Sequence, residues 1–100
     1  MFVVVGRFRF RPMGQDERQS MIQSWEQDFA PMARESPGFR GVNFARTSDD
    51  GLMAVWLGAG AADREAALPR FGPSLQAYVV PNLAQPPDRV GGEVVVQATP

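Results

Sequence analysis

The chain has no histidine, no cysteine and no lysine. Without histidine it lacks the usual general base and the commonest metal and haem ligand. Without cysteine it has no disulfides, no thiolate nucleophile and no Cys-ligated zinc or iron–sulfur site. Without lysine it has no Schiff-base chemistry. All ten basic residues are arginine, and against eleven acidic residues they leave a net charge of −1. That balance lacks the basic excess of a nucleic-acid footprint, so no nucleic-acid partner is expected. No segment approaches the roughly 18–20 apolar residues of a membrane span. The opening "MFVVVGRFRFRP" has no basic residue before its short apolar run and arginines within it. It reads as a strand rather than a signal peptide, and a cytoplasmic location is expected.

What is there is one domain's worth of chain, 1–100, with 44% hydrophobic residues. A chain this short buries roughly 60–70% of its unfolded surface. Phe2 to Arg11 alternates from Gly6 on, with Arg7, Arg9 and Arg11 on one face and Phe8 and Phe10 on the other. Gln15 to Ser36 reads as a helix whose apolar stripe is Met21, Ile22, Trp25, Phe29, Met32 and Ala33. Pro31 is expected to kink or divide it, and Pro37-Gly38 to stop it. Phe39 to Thr47 and Leu52 to Leu57 read as strands joined by "SDDG", an Asp-Gly hairpin signal. Ala61 to Arg70 reads as a helix with Asp63 as N-cap, and "FGP" as its break. Pro73 to Ala84 reads as a second helical piece, with Leu75, Tyr78, Val79 and Leu83 as its stripe. Glu93 to Ala98, "EVVVQA", reads as the last strand.

The order β-α-β-β-α-β specifies an α+β fold, the split βαβ or ferredoxin-like arrangement with a four-stranded antiparallel sheet. Helices on one face should leave the other polar. Instead both faces of Leu52–Leu57 are apolar, as is "VVV" at Val94 to Val96. A sheet apolar on both faces needs a second cover, and the simplest is another copy of itself, giving a homodimer through the sheet face.

"ESPGFRG" (Glu35 to Gly41), "VWLGAGAADREAAL" (Val55 to Leu68) and "QPP" (Gln85 to Pro87) follow one another in the order and spacing of a known pattern. With the opening strand they resemble the antibiotic biosynthesis monooxygenase family. The resemblance covers nearly the whole chain. It implies a dimeric α+β barrel of two ferredoxin-like protomers, with a ligand pocket between sheet and helices in each. Members include cofactor-free monooxygenases of aromatic polyketides and haem-degrading enzymes. The strand-three tryptophan that lines the pocket in the former matches Trp56. Their asparagine, tyrosine and arginine positions fall on Leu52, Ala62 and Ser74 here. The strand-one asparagine of the haem-degrading branch falls near Gly6, and its iron-binding histidine has no counterpart, so haem degradation by that mechanism is not expected.

Trp56 therefore has two readings, core filler between sheet and helix or wall of a substrate pocket; the two overlap, because pocket walls are mostly apolar and aromatic. Phe8 should line any pocket that Trp56 lines. Tyr78 is either a core tyrosine or a hydroxyl aimed into that pocket, and Asn43 a strand residue able to hydrogen-bond a substrate. Arg7, Arg9 and Arg11 read as a solvated rim or an anion-recognition face. Asp63 and Glu65 read as helix-start residues. No metal site and no cofactor are expected, and no catalytic residue is assigned. The function expected is that of a cofactor-independent monooxygenase-like protein acting on a small aromatic or quinol-type substrate. The alternative is a non-catalytic dimeric module of the same fold that binds a small molecule or serves as an accessory.

Overall fold

A computed structural model describes residues 1–100, with the side chains of all but Arg64 and Leu68. The elements are β1 (Phe2–Arg9), α1 (Gln15–Glu35), β2 (Phe39–Ser48), β3 (Gly51–Gly58), α2 (Ala61–Ser74) and β4 (Asp88–Glu93). A π-type turn (Leu75–Val79) and a 3₁₀ turn (Val80–Asn82) prolong α2. The strands form one antiparallel sheet in the order β2-β3-β1-β4. Each helical crossover thus joins two parallel strands that are split by a third, as the βαββαβ order requires. No helix is long and apolar enough to cross a membrane among the described residues.

The alternation of β1 decides which face the helices cover. Val4, Phe8 and Phe10 are buried, while Arg7 and Arg9 are exposed. From α1 come Met21, Trp25, Phe29 and Ala33, at the three- and four-residue steps that keep one stripe on one side. These pack with Leu52 of β3, Ala67 and Phe71 of α2, and Val79. Aromatic rings meet edge-on or tilted at its centre: Trp25 lies 5.9 Å from Phe8 and 4.7 Å from Phe44, and Phe29 lies 4.7 Å from Phe71.

Several boundaries differ from the sequence reading, each for a physical reason. The last strand is Asp88–Glu93 rather than Glu93–Ala98. It begins directly after Pro86-Pro87, and Glu93 already pairs with Phe2, the first residue of β1. Beyond it the backbone has one more bond to donate into the sheet, Val94 N–H to the Met1 carbonyl at 2.8 Å. Val95 and Val96 then have no strand to pair with and are exposed. Strand β1 ends at Arg9, and Phe10 bridges to Leu83 beyond the 3₁₀ turn.

The hairpin turn is Asp49-Asp50, with Gly51 already in β3 and no non-glycine residue at positive φ. A register shift between Arg46 and Ser48 supplies the twist that a positive-φ turn would have supplied. Pro31 neither divides α1 nor ends it. Pro31 and Gln27, whose carbonyl loses its helical N–H partner, both lie on the exposed side. Nor does "FGP" break α2, which starts at Ala61 after Gly60 rather than at an Asp63 cap. Pro73 instead precedes the widened turn, whose Val80 N–H bonds the Leu75 carbonyl five residues back.

Arg18 extends the buried stripe of α1 toward the hairpin. Its guanidinium donates to the Asp49 carbonyl, and Phe10 N–H donates to the Asp50 carbonyl at 2.8 Å. The β2–β3 turn is thereby tied to both α1 and the end of β1.

The helix-free face carries Val3, Val5, Met53, Val55 and Leu57, all half-buried within the single chain. Arg7 pairs there with Asp88, its direct cross-strand neighbour. At the end of β1, Arg11 bonds Glu17 at 2.6 Å and the Asn82 Oδ1 at 2.9 Å. These arginines thus stand away from the helix-covered core.

Candidate functional site

The antiparallel register sets the helix-facing side chains in rows across the sheet. One row is Val42, Trp56, Val4 and Gly91. The next is Phe44, Ala54, Gly6 and Arg89, and the third carries Leu52 and Phe8. The middle row has a methyl group at its centre and nothing at all at Gly6. Large side chains stand on either side of it, and α1 and α2 bridge above. A cavity of about 90 Å³ opens in that gap. Trp56 and Phe8 form its sides, Trp25 and Phe29 reach it from α1, and Phe71 and Leu75 from α2 and the π-type turn.

Trp56 is held by what is missing next to it. The six-membered ring of its indole occupies the place where a Cβ on Gly58 would stand. Both tryptophans lining the cavity are deeply buried, Trp25 at 2% exposure and Trp56 at 7%. Neither indole N–H has a hydrogen-bond partner within the protein. A buried indole N–H normally finds one, and leaving such a donor unpaired costs about 1–3 kcal/mol. Both Nε1 atoms are themselves buried, so the tryptophans present ring carbon to the cavity and its wall is apolar.

Arg89 is the one ionisable residue of the lining among the described residues. It stands at the exposed edge of the cavity on β4, directly opposite Gly6. The sequence reading did not single it out. A last strand beginning at Glu93 leaves Arg89 in a loop; a strand beginning at Asp88 places it on the cavity face. The signal that could have found it is the Pro-Pro pair, which more often precedes a strand than interrupts one.

Asn43 and Tyr78 stand elsewhere. Asn43 pairs with Val55, so it shares the parity of the helix-free face and is exposed. Tyr78 is half-buried on the π-type turn beside Asp28 of α1. A hydrogen bond to the Asp28 carboxylate, then its negative charge and some desolvation, hold the phenol above its ordinary value of 10.0. Tyr78 is therefore neutral at pH 7 and no proton acceptor. Leu52 lies in the floor row beside Phe8, with an apolar side chain where a polar partner of Trp56 was sought. Ser74 is buried, its hydroxyl donating to the Phe71 carbonyl at 3.1 Å. No group of three or more His, Cys, Asp or Glu side chains stands ready to hold a metal ion among the described residues.

The lining therefore offers apolar walls and one guanidinium at the edge. At about 90 Å³ it can desolvate part of a flat aromatic body, with Arg89 at its edge to meet negative charge. Among the described residues it supplies no carboxylate, imidazole or phenol to take a proton.

No protein-family model matches the chain, and no curated protein does. Solved structures do match. A monooxygenase from the gene ActVA-Orf6 of Streptomyces coelicolor, in complex with nanaomycin D, superimposes with a TM-score of 0.79 at 19% identity, over 99% of this chain and 91% of that one. A variant of SnoaB, a cofactor-independent oxygenase from Streptomyces nogalater, matches with a TM-score of 0.72 at 17% identity, over 96% of this chain and 94% of that one. An antibiotic biosynthesis monooxygenase matches with a TM-score of 0.74 at 11% identity, over 96% of this chain and all of the other. This chain thus has the fold of the antibiotic biosynthesis monooxygenase proteins, a ferredoxin-like α+β domain.

Proposed function

We propose that this protein is a cofactor-independent oxygenase-like enzyme for a small aromatic ketone or quinol, working as a homodimer. The observation that carries the reading is the apolar cavity between sheet and helices, walled by Trp56, Phe8 and Trp25, with Arg89 at its edge. The likeness in fold to a cofactor-independent oxygenase supports the choice of chemistry.

In that chemistry the substrate itself supplies the electrons to dioxygen. An anthrone-type CH₂ flanked by aromatic rings loses a proton to give an oxyanion, and the oxyanion reacts with O₂. The CH₂ becomes C=O, and one oxygen atom leaves as water. The protein's part is to desolvate the ring system and to bind the oxyanion more tightly than the parent ketone. Arg89 at the cavity edge is the donor able to do this, because charge-assisted hydrogen bonds are about twice as strong as neutral ones. The proton passes to water, since the cavity wall holds no base.

Oxygen uptake with anthrone tests the reading. Uptake by the native protein should fall several-fold in Trp56→Phe, which removes part of the cavity wall. Uptake no greater than that of the Trp56→Ala variant would refute it. The absence of an acid or base in the lining, together with Leu52, Ala62 and Ser74, favours a second reading. In it the same cavity binds a small aromatic ligand without turning it over.

The homodimer rests on the apolar helix-free face of Val3, Val5, Met53, Val55 and Leu57. A second copy packed sheet against sheet would cover it. Light scattering at micromolar concentration should give twice the chain mass of 11.0 kDa, and a stable monomer would rule this out.

A further inference from the structure

We infer that Arg89 makes the site bipartite and selects ligands bearing an ionised acid group, an inference that rests on the cavity binding an aromatic body. A groove of about 330 Å³ adjoins the cavity, between β4 and the π-type turn. The two share Phe8, Leu75 and Arg89. The cavity alone, at about 90 Å³, is below the roughly 300–1,000 Å³ of small-molecule sites; joined with the groove it falls within that range. An occupant that fills both passes Arg89 on its way from one to the other.

The groove is otherwise apolar apart from Gln76: Val79, Val80, Leu83 and Pro87 line it. Arg89 is the one charged residue that either part contains among the described residues. Its surroundings leave that charge unanswered. The neighbouring carboxylate, Asp88, points to the opposite face and is taken by Arg7. Glu17 is taken by Arg11. Arg89 makes no ion pair or side-chain hydrogen bond among the described residues.

Its position is also defined. Arg89 lies on a paired strand opposite Gly6, which has no side chain to crowd it. A guanidinium so placed presents a planar fork of donors, matched to the two oxygens of a carboxylate. The ligand class is therefore a fused aromatic carboxylic acid. Its ring body lies along the apolar groove and reaches into the cavity beside Trp56, and its carboxylate meets Arg89 at the junction.

The test compares 2-naphthoate with its neutral methyl ester, each titrated against the intact protein by quenching of tryptophan fluorescence. Both tryptophans of the chain line the cavity, so the signal reports on the site itself. The native protein should bind the acid about two- to fivefold more tightly than the ester, as an ion pair at an exposed guanidinium implies. Arg89→Gln should bring the acid down to the affinity of the ester and leave the ester unchanged. Arg89→Lys should recover part of the preference. Arg40→Gln, on the edge strand at the other side of the sheet, should change neither.

Equal affinity for acid and ester in the native protein, or an acid preference that survives Arg89→Gln, would overturn the assignment of Arg89 and leave the aromatic cavity standing. Failure of both compounds to quench would overturn the cavity reading and the Arg89 assignment together. Arg89 is solvent-exposed, so its variants should keep the native circular dichroism spectrum.

Discussion

Replacing Gly6 by alanine should make the protein more stable and less able to bind. Gly6 stands at the centre of the cavity floor, in extended backbone that any residue adopts. A Cβ built there would meet the Phe8 ring at 3.4 Å, within ordinary contact. Nothing therefore forces strain. A glycine inside a strand weakens it by roughly 0.5–1 kcal/mol relative to alanine. An unfilled cavity costs about 24 cal/mol per Å³, so 90 Å³ corresponds to about 2 kcal/mol, of which one methyl recovers a part. The net expectation is a gain of about 1 kcal/mol, or roughly 4–8 °C in Tm for a chain this size. Urea unfolding at matched protein concentration measures it. The same methyl takes space from the ligand, and 2-naphthoate affinity should fall. A loss of stability of 1 kcal/mol or more would show that the floor at Gly6 is already close-packed. Unchanged ligand affinity would show that the ligand does not reach it.

Three further outcomes follow from other parts of the molecule. Trp56→Phe shortens a buried ring seated on Gly58, so unfolding in urea should show a destabilisation of about 1–3 kcal/mol. Arg18→Met deletes the guanidinium bonded to the Asp49 carbonyl and should destabilise by about 1–3 kcal/mol in urea. Tyr78 is the chain's one tyrosine, so an ultraviolet titration isolates it. Its pKa should lie above 10.0, and Asp28→Asn should bring it back down. Because the folded pKa is the raised one, the contribution of the Tyr78–Asp28 pair is fully present below the phenol's unfolded pKa. It is lost as pH rises through the folded value.

Local pattern was enough to order the elements and to choose the helix-covered face. The three- and four-residue steps of Met21, Trp25, Phe29 and Ala33 and the alternation of Arg7 to Phe10 depend on each segment alone. Trp56 and Phe8 were placed on one wall by parity within their own strands. What pattern missed depends on distant partners. "EVVVQA" has the composition of a strand, but β4 is bounded by the start of β1, which gives it nothing to pair with beyond Glu93. That five-residue displacement hid Arg89.

Asn43 was ambiguous because β2 is irregular on both sides of it, with register shifts at Phe39/Gly41 and Arg46/Ser48. Tyr78 fell on a helical stripe counted at 100° per residue. The turn it occupies closes over five residues, which turns its ring toward Asp28 of α1. Arg18 sits at a core position by spacing and at a surface position by charge. Only the hairpin carbonyl it meets decides between them.

The contact between Trp56 and Gly58 bears on how a ligand would be received. Buried donors are usually oriented by the acceptor they bond, and a ligand must first displace that acceptor. Here bare backbone at Gly58 sets the indole plane, while the N–H remains unbonded. The ring is preorganised by shape alone. A ligand packing on the part of it that walls the cavity freezes no free rotor, so that ordering loss is largely absent. A side chain at position 58 would undo this without touching the ligand, by swinging the indole off its seat.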